Sequence, residues 1–115
     1  MTPAHHLPVA TLHILIALAD GPLHGYAILK DVTARTAGEF HLGPATLYTS
    51  IKRLLQAGYI EEVSEASGGD ERRRHYRLTA PGRRIAIDET RRLDSLVAQA
   101  RSRFSPVARK KRGTS

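Results

Sequence analysis

The stretch GPATLYTSIKRLLQAGYIEEV, residues 43–63, decides how this chain folds. It opens on Gly43-Pro44, a pair suited to a helix start, because proline's fixed φ and missing N–H cost nothing in the first turn. Leu47, Ile51, Leu54 and Leu55 recur at i, i+4, i+7 and i+8, one apolar helical stripe. The opposite face carries Thr46, Thr49, Ser50, Lys52 and Arg53, with Tyr48 at the boundary and no acidic residue as far as Ala57. Gly58 supplies a left-handed stop. Beyond it the period falls to two. Residues 59–63 and 72–79 read as short strands, the second alternating Arg74, Tyr76 and Leu78 against Arg73, His75 and Arg77. Between them Ser67-Gly68-Gly69-Asp70 has the composition of a turn.

Two helices precede this unit. Residues 8–19 place Leu12, Leu15, Ile16 and Ala19 on one face, and Asp20-Gly21-Pro22 stops them. Residues 24–36 carry Tyr26, Ile28, Leu29 and Val32 and end before Gly38. A last helix follows the strands, with Thr79 as its N-cap and Pro81 in its first turn. It continues to Phe104, where Ser105-Pro106 breaks it, and repeats Leu93, Leu96, Val97, Ala100 and Phe104 at helical spacing. Residues 106–115 are basic and aperiodic, the composition of a disordered tail. The expected fold is mainly α with a small β-hairpin. In domain terms it is a winged helix-turn-helix over 7–79, a dimerisation helix over 80–104 and a basic tail over 105–115.

Composition narrows the chemistry. The 115 residues leave room for one domain, and 41% hydrophobic with 25% charged is the ordinary globular mixture. The absence of cysteine removes disulfides, thiolate metal sites and a cysteine nucleophile together. The longest apolar run, 7–19, is 13 residues and interrupted by His13, too short for a bilayer core that takes about 20. No cationic leader precedes it, so a cytoplasmic protein is expected. His5, His6, His13, His24, His41 and His75 show no ligand spacing, and GxSxG, GxxxxGK[ST] and HExxH are all missing. Neither a metal, a cofactor nor an enzymatic activity is expected.

The net charge is +7 and uneven, since residues 1–60 hold four basic groups against three acidic ones and residues 61–115 hold fourteen against eight. A basic surface suits a polyanion. In a winged helix the helix before the hairpin enters the major groove, and the wing follows the backbone. Thr46, Tyr48, Thr49, Ser50, Lys52 and Arg53 are therefore the candidate DNA contacts on that helix, and Arg72, Arg73 and Arg74 those on the wing. Tyr26 and Tyr76 read as core residues. The stripe of the last helix exceeds what a small body can cover, so Leu93, Leu96, Val97, Ala100 and Phe104 are expected to pair two copies, helped by Leu7, Val9 and Leu12. A winged-helix module for an acidic protein partner, and a non-specific DNA-coating protein, are the alternative readings.

The blocks Gly21-Pro22-Leu23-His24-Gly25-Tyr26-Ala27-Ile28, Gly43-Pro44-Ala45-Thr46-Leu47-Tyr48, Ile51-Lys52-Arg53-Leu54, Gly58-Tyr59-Ile60 and Arg74-His75-Tyr76-Arg77-Leu78-Thr79, with Gly82, resemble the PadR family of transcriptional regulators. Ala45 departs from the pattern, in which glycine often opens the recognition helix. The resemblance implies a homodimeric repressor that binds a double-stranded, pseudo-palindromic operator through Tyr48, Thr49, Lys52 and Arg53. It also implies a last helix that dimerises, and possible release by a small hydrophobic effector. One such helix places the chain in the short branch of the family.

Overall fold

The computed structural model describes residues 7–63 and 74–105. Seven elements follow in order: α1 (Val9–Ala17), β1 (Leu23–His24), α2 (Gly25–Arg35), α3 (Pro44–Ala57), β2 (Ile60–Val63), β3 (His75–Leu78) and α4 (Ala80–Phe104). The strands form one antiparallel sheet in the order β1-β3-β2. Ile60 lies opposite Leu78 and Val63 opposite His75, while Leu23 pairs with Tyr76. The hairpin read from the sequence is thus two strands of a three-stranded sheet. The third is a two-residue strand, too short to carry a periodicity.

The boundaries of α3 follow the local chemistry. Gly43 is the N-cap and Pro44 the first helical residue. At the other end Gly58 takes φ 80°, which lets its N–H reach the Leu55 carbonyl at 3.1 Å and the Tyr59 N–H reach that of Leu54 at 3.0 Å. Those bonds satisfy carbonyls the helix would otherwise leave open and turn the chain into β2. His24 caps α2 with its ring, accepting the Ala27 N–H on Nδ1 at 3.2 Å. Thr79 caps α4, its hydroxyl accepting the Gly82 N–H at 3.1 Å while donating to the Gly58 carbonyl at 2.6 Å.

The core gathers Ile14, Leu15 and Leu18 with Ile28, Val32, Leu47, Ile51, Leu54, Ile60, Tyr76 and Ile85. All three N-terminal helices, the sheet and the start of α4 therefore share one apolar centre. Two sequence expectations shift here. In α1 the buried residues are Ile14, Leu15 and Ala17, with Leu18 just beyond, whereas Ile16 and Ala19 are exposed. The segment is apolar on nearly every side, so its composition does not fix which face turns inward. Tyr26 is exposed rather than core, because the inward face of α2 is set by Gly25, Ile28 and Val32. Tyr76 is buried, as its strand position requires.

α4 rests on α1 and β3 by its first turns only. Gly82 and Ile85 are buried, and so is Glu89, whose carboxylate takes both Nε and a terminal nitrogen of Arg92 at 2.8 and 2.7 Å. That pairing raises the Arg92 guanidinium above its ordinary pKa, so the cation is fixed. From Leu96 onward the helix is exposed through Phe104. At about 1.5 Å per residue the whole helix is roughly 38 Å long. Among the described residues no helix is long and apolar enough to cross a membrane.

Candidate nucleic-acid interface

α3 presents one face to solvent. Thr46, Tyr48, Thr49, Lys52 and Arg53 are all exposed, whereas Leu47, Ile51 and Leu54 are buried. Ser50 sits with the buried set at 9% exposure, so it does not join the outer face that residue type alone suggested. The reason is helical position: Ser50 lies three residues after Leu47 and four before Leu54, inside the inward stripe.

Tyr48 is held from the side. Its ring lies across Gly25 at the start of α2, where a Cβ would stand 3.0 Å from the Tyr48 hydroxyl and 3.3 Å from the ring carbon Cε1. The absence of a side chain at Gly25 therefore makes room for the tyrosine. The histidine-glycine-tyrosine block and the threonine-leucine-tyrosine block thus meet in space. Neighbouring Tyr76 has its phenol pushed up, chiefly by burial, with Glu62 and Tyr48 adding to the shift and Arg74 opposing it. It stays a neutral anchor under the wing.

The electrostatics of the two cationic regions differ. Lys52 and Arg53 form no ion pair among the described residues, and no carboxylate lies between them and the start of their helix. On the sheet, Arg77 is bound to Glu61 at 2.6 Å, and Arg74 faces Glu62 at 3.8 Å. Arg74 is well exposed and its pair is long, so it remains available to a phosphate. Arg72 and Arg73, the turn between the strands, His5, His6 and the basic tail all lie outside the described residues. Among the described residues no group of three or more potential ligands could hold a metal.

A second surface is apolar. On α4, Leu96, Val97 and Phe104 are exposed, Phe104 at 78%, with Ala100 beside them and Leu93 half-buried. On α1, Val9 is exposed while Leu7 and Leu12 are half-buried. Between the two helices lies an open groove of about 360 Å³, floored by Leu15, Ile16, Leu78 and Ile87 and edged by Arg83 and Arg91. The sequence reading puts Ile16 on a buried face and does not single out Ile87, because the groove exists only once α4 is laid across α1.

Comparison with known proteins agrees with this geometry. The model of the transcriptional regulator PadR-like family matches residues 14–87. A transcriptional regulator from Clostridium thermocellum has a similar structure, with TM-score 0.70, 28% identity, and coverage of 84% of this chain and 89% of that one. Bacillus subtilis PadR, determined in complex with operator DNA, superimposes with TM-score 0.63 at 25% identity, covering 70% of this chain and 46% of that one. Among curated sequences, an uncharacterized 37.1 kDa protein of a Streptomyces fradiae transposon is 37% identical over 76 residues, 66% of this chain. An uncharacterized protein of Lysinibacillus sphaericus is 34% identical over 74 residues, 61% of this chain. The chain spans 20% of the first of these relatives and 64% of the second.

Proposed function

The chain belongs to the PadR-like family of transcriptional regulators, and from that premise we propose that it binds a pseudo-palindromic operator as a homodimer and represses the gene it covers. Proteins of this family are regulators of transcription and not enzymes. The observation that carries the proposal is the outer face of α3, where Thr46, Tyr48, Thr49, Lys52 and Arg53 stand exposed and free of carboxylates ahead of an antiparallel wing. Hydroxyls and a guanidinium can address base edges in a major groove, and the lysine and wing arginines can neutralise phosphates. In this reading residues 7–79 are the DNA-binding module, with Arg72, Arg73 and Arg74 along the backbone, and residues 80–104 are the dimerisation arm.

Two copies would join through α4, Leu93 to Phe104, against one another and the partner's α1 near Leu7, Val9 and Leu12. Four of these side chains, Val9, Leu96, Val97 and Phe104, are at least 44% exposed. Covering what remains open at about 1 kcal/mol each contributes about 8 kcal/mol for two chains. Association costs an estimated 4–15 kcal/mol, so the arm is of the right size for a dimer that further contacts would tighten. Two recognition helices would then reach half-sites about 34–36 Å apart. A small hydrophobic effector seated in the α1–α4 groove would change DNA affinity only by favouring one dimer geometry over another.

The test is fluorescence anisotropy of the purified protein on the DNA upstream of its own gene and on a scrambled duplex, at several salt concentrations. A preference of about a thousandfold or more is expected. Equal affinity for both, collapsing as salt rises, would overturn sequence-specific regulation in favour of non-specific coating. No DNA binding at moderate salt would favour an acidic protein as partner.

A further inference from the structure

We propose that Gly25 is a positioning residue for sequence recognition. By carrying no side chain it lets the Tyr48 ring seat against the start of α2, and this seating supplies part of the preference for operator over other DNA. The proposal rests on the DNA-binding reading above and adds a buried residue that itself touches neither base nor phosphate.

Three observations converge. First, the backbone does not call for glycine at this place. Gly25 is the first residue of α2 and is not among the glycines with positive φ, which are Gly21, Gly38 and Gly58. Alanine would serve the helix at least as well. Second, the room that glycine leaves is taken by one side chain. The three atoms nearest to a Cβ at Gly25 all belong to Tyr48, its hydroxyl at 3.0 Å, Cε1 at 3.3 Å and Cζ at 3.4 Å. Third, the seat itself is held in place. His24, one residue earlier, pairs with His75 across β1 and β3, its ring edge-on to that of His75 at 5.4 Å. The same His24 caps α2 through Nδ1, so the start of the helix is tied to the sheet. Tyr76, buried next along β3, lies close enough for its phenol to feel that of Tyr48.

Such a seat matters for reading sequence. Tyr48 is 55% exposed in the first part of α3, where helix-turn-helix proteins bring side chains to base edges. A phenol can donate or accept a hydrogen bond there, and it discriminates between bases only when its direction is set. Ordering a free side chain at the moment of binding costs affinity, and holding it beforehand is worth about two- to tenfold. An alanine at Gly25 would push the ring off its seat without moving backbone, since the crowded atoms are the far end of a side chain that can swing. Loss of reading without loss of fold is therefore the signature of a glycine kept for the tyrosine.

The experiment compares Gly25→Ala, Tyr48→Ala and the double variant with the full-length parent on specific and scrambled duplexes across a salt series, with calorimetry on each protein. Gly25→Ala is expected to melt within about 2 °C of the parent or above it. Its salt slope stays at the parent value because no charge is removed. The ratio of specific to scrambled affinity is expected to fall by about two- to tenfold. Tyr48→Ala lowers that ratio at least as far, and adding Gly25→Ala to it lowers the ratio no further, the non-additivity of two residues acting as one. A parent-like ratio in Gly25→Ala would overturn the proposal while leaving the DNA-binding reading intact. An equal loss with and without the Tyr48 ring would overturn it too, as would a fall in melting temperature of several degrees, since either makes the glycine serve the fold and not the tyrosine. A parent that binds neither duplex, or both alike, overturns this proposal together with sequence-specific regulation.

Discussion

Replacing Gly82 with alanine tests the junction that aims α4. A Cβ at Gly82 would lie 1.8 Å from the carbonyl oxygen of Tyr59 and 2.7 Å from its carbonyl carbon. Ordinary carbon–oxygen contact is about 3.3 Å, so the first turn of α4 must retreat from the start of β2 by about 1.5 Å. Both atoms are backbone and cannot swing aside. The retreat strains two bonds across the junction, Thr79 N–H to the Tyr59 carbonyl at 3.1 Å and the Thr79 hydroxyl to the Gly58 carbonyl at 2.6 Å. At about 1 kcal/mol net each they contribute roughly 2 kcal/mol. Disturbed packing around the neighbouring Ile85 adds about 1–3 kcal/mol. Alanine's better helix propensity returns about 1 kcal/mol. The expected loss is therefore about 2–4 kcal/mol, or a fall in melting temperature of roughly 10 °C or more for a domain of this size. Gly43→Ala is the control, since nothing lies within 4 Å of a Cβ there and φ is −74°. Differential scanning calorimetry on both variants decides the matter. A Gly82→Ala protein melting within about 2 °C of the parent would refute the close approach of α4 to β2 and the energetic argument built on it.

Further expectations follow from other parts of the molecule. Changing Leu96 and Phe104 together to glutamate should give a folded monomer with weak operator affinity, and sedimentation showing a dimer would remove the α4 stripe from the interface. Exchanging Lys52 and Arg53 for alanine should cut the salt slope on operator DNA by about 0.9 per side chain that contacts phosphate, and an unchanged slope would take both off the backbone. His13 sets a pH dependence. Its imidazole is held below the usual 6.5, first by burial and then by the Arg35 guanidinium, which sits 3.3 Å from Nδ1. A lowered folded pKa means the unfolded chain binds the proton first, so this contribution is whole above pH 6.5 and is lost as pH falls through the folded value. His13→Gln should lose less stability than the parent between pH 7.5 and 5 in urea melts, and parallel losses would contradict the assignment.

Where the sequence was legible, the information was local. Gly43-Pro44, Gly58 and Thr79 each act through their own turn, and the helix boundaries fall where they indicate. Where it was not, tertiary contact decides. The inward face of α2 begins at a glycine, buried because Tyr48 lies on it, and no hydropathy pattern marks a glycine as core. Assigning Tyr26 inward was the consequence. β1 pairs with β3 over two residues, a match made by the fold and not by the segment. Ser50 shows the opposite error, a polar residue read as outward although its phase in the helix puts it inside. On the candidate interface, the outer positions of α3 follow from its strong apolar stripe, while the seating of Tyr48 over Gly25 needs the fold to be seen.

The count of basic residues does not by itself show which cations are free of carboxylates. The excess of basic residues lies after position 60, yet several of the described cations there are already engaged. Arg77 is held by Glu61, Arg92 by Glu89 and Arg83 by the Ala19 carbonyl, and Arg74 faces Glu62. Lys30, Lys52 and Arg53 in the first half, and Arg84, Arg91, Arg101 and Arg103 in the second, form no ion pair among the described residues. A cation already bound to a carboxylate displaces few counterions when DNA approaches, whereas an unpaired one displaces nearly a full equivalent. Lys52 and Arg53 in both protomers, four phosphate contacts in the proposed dimer, imply a slope of about −3.6 before any contribution from Arg72, Arg73, Arg74 or the tail. A slope shallower than that would mean that one of the two side chains stands clear of the backbone, and single Lys52 and Arg53 variants would show which.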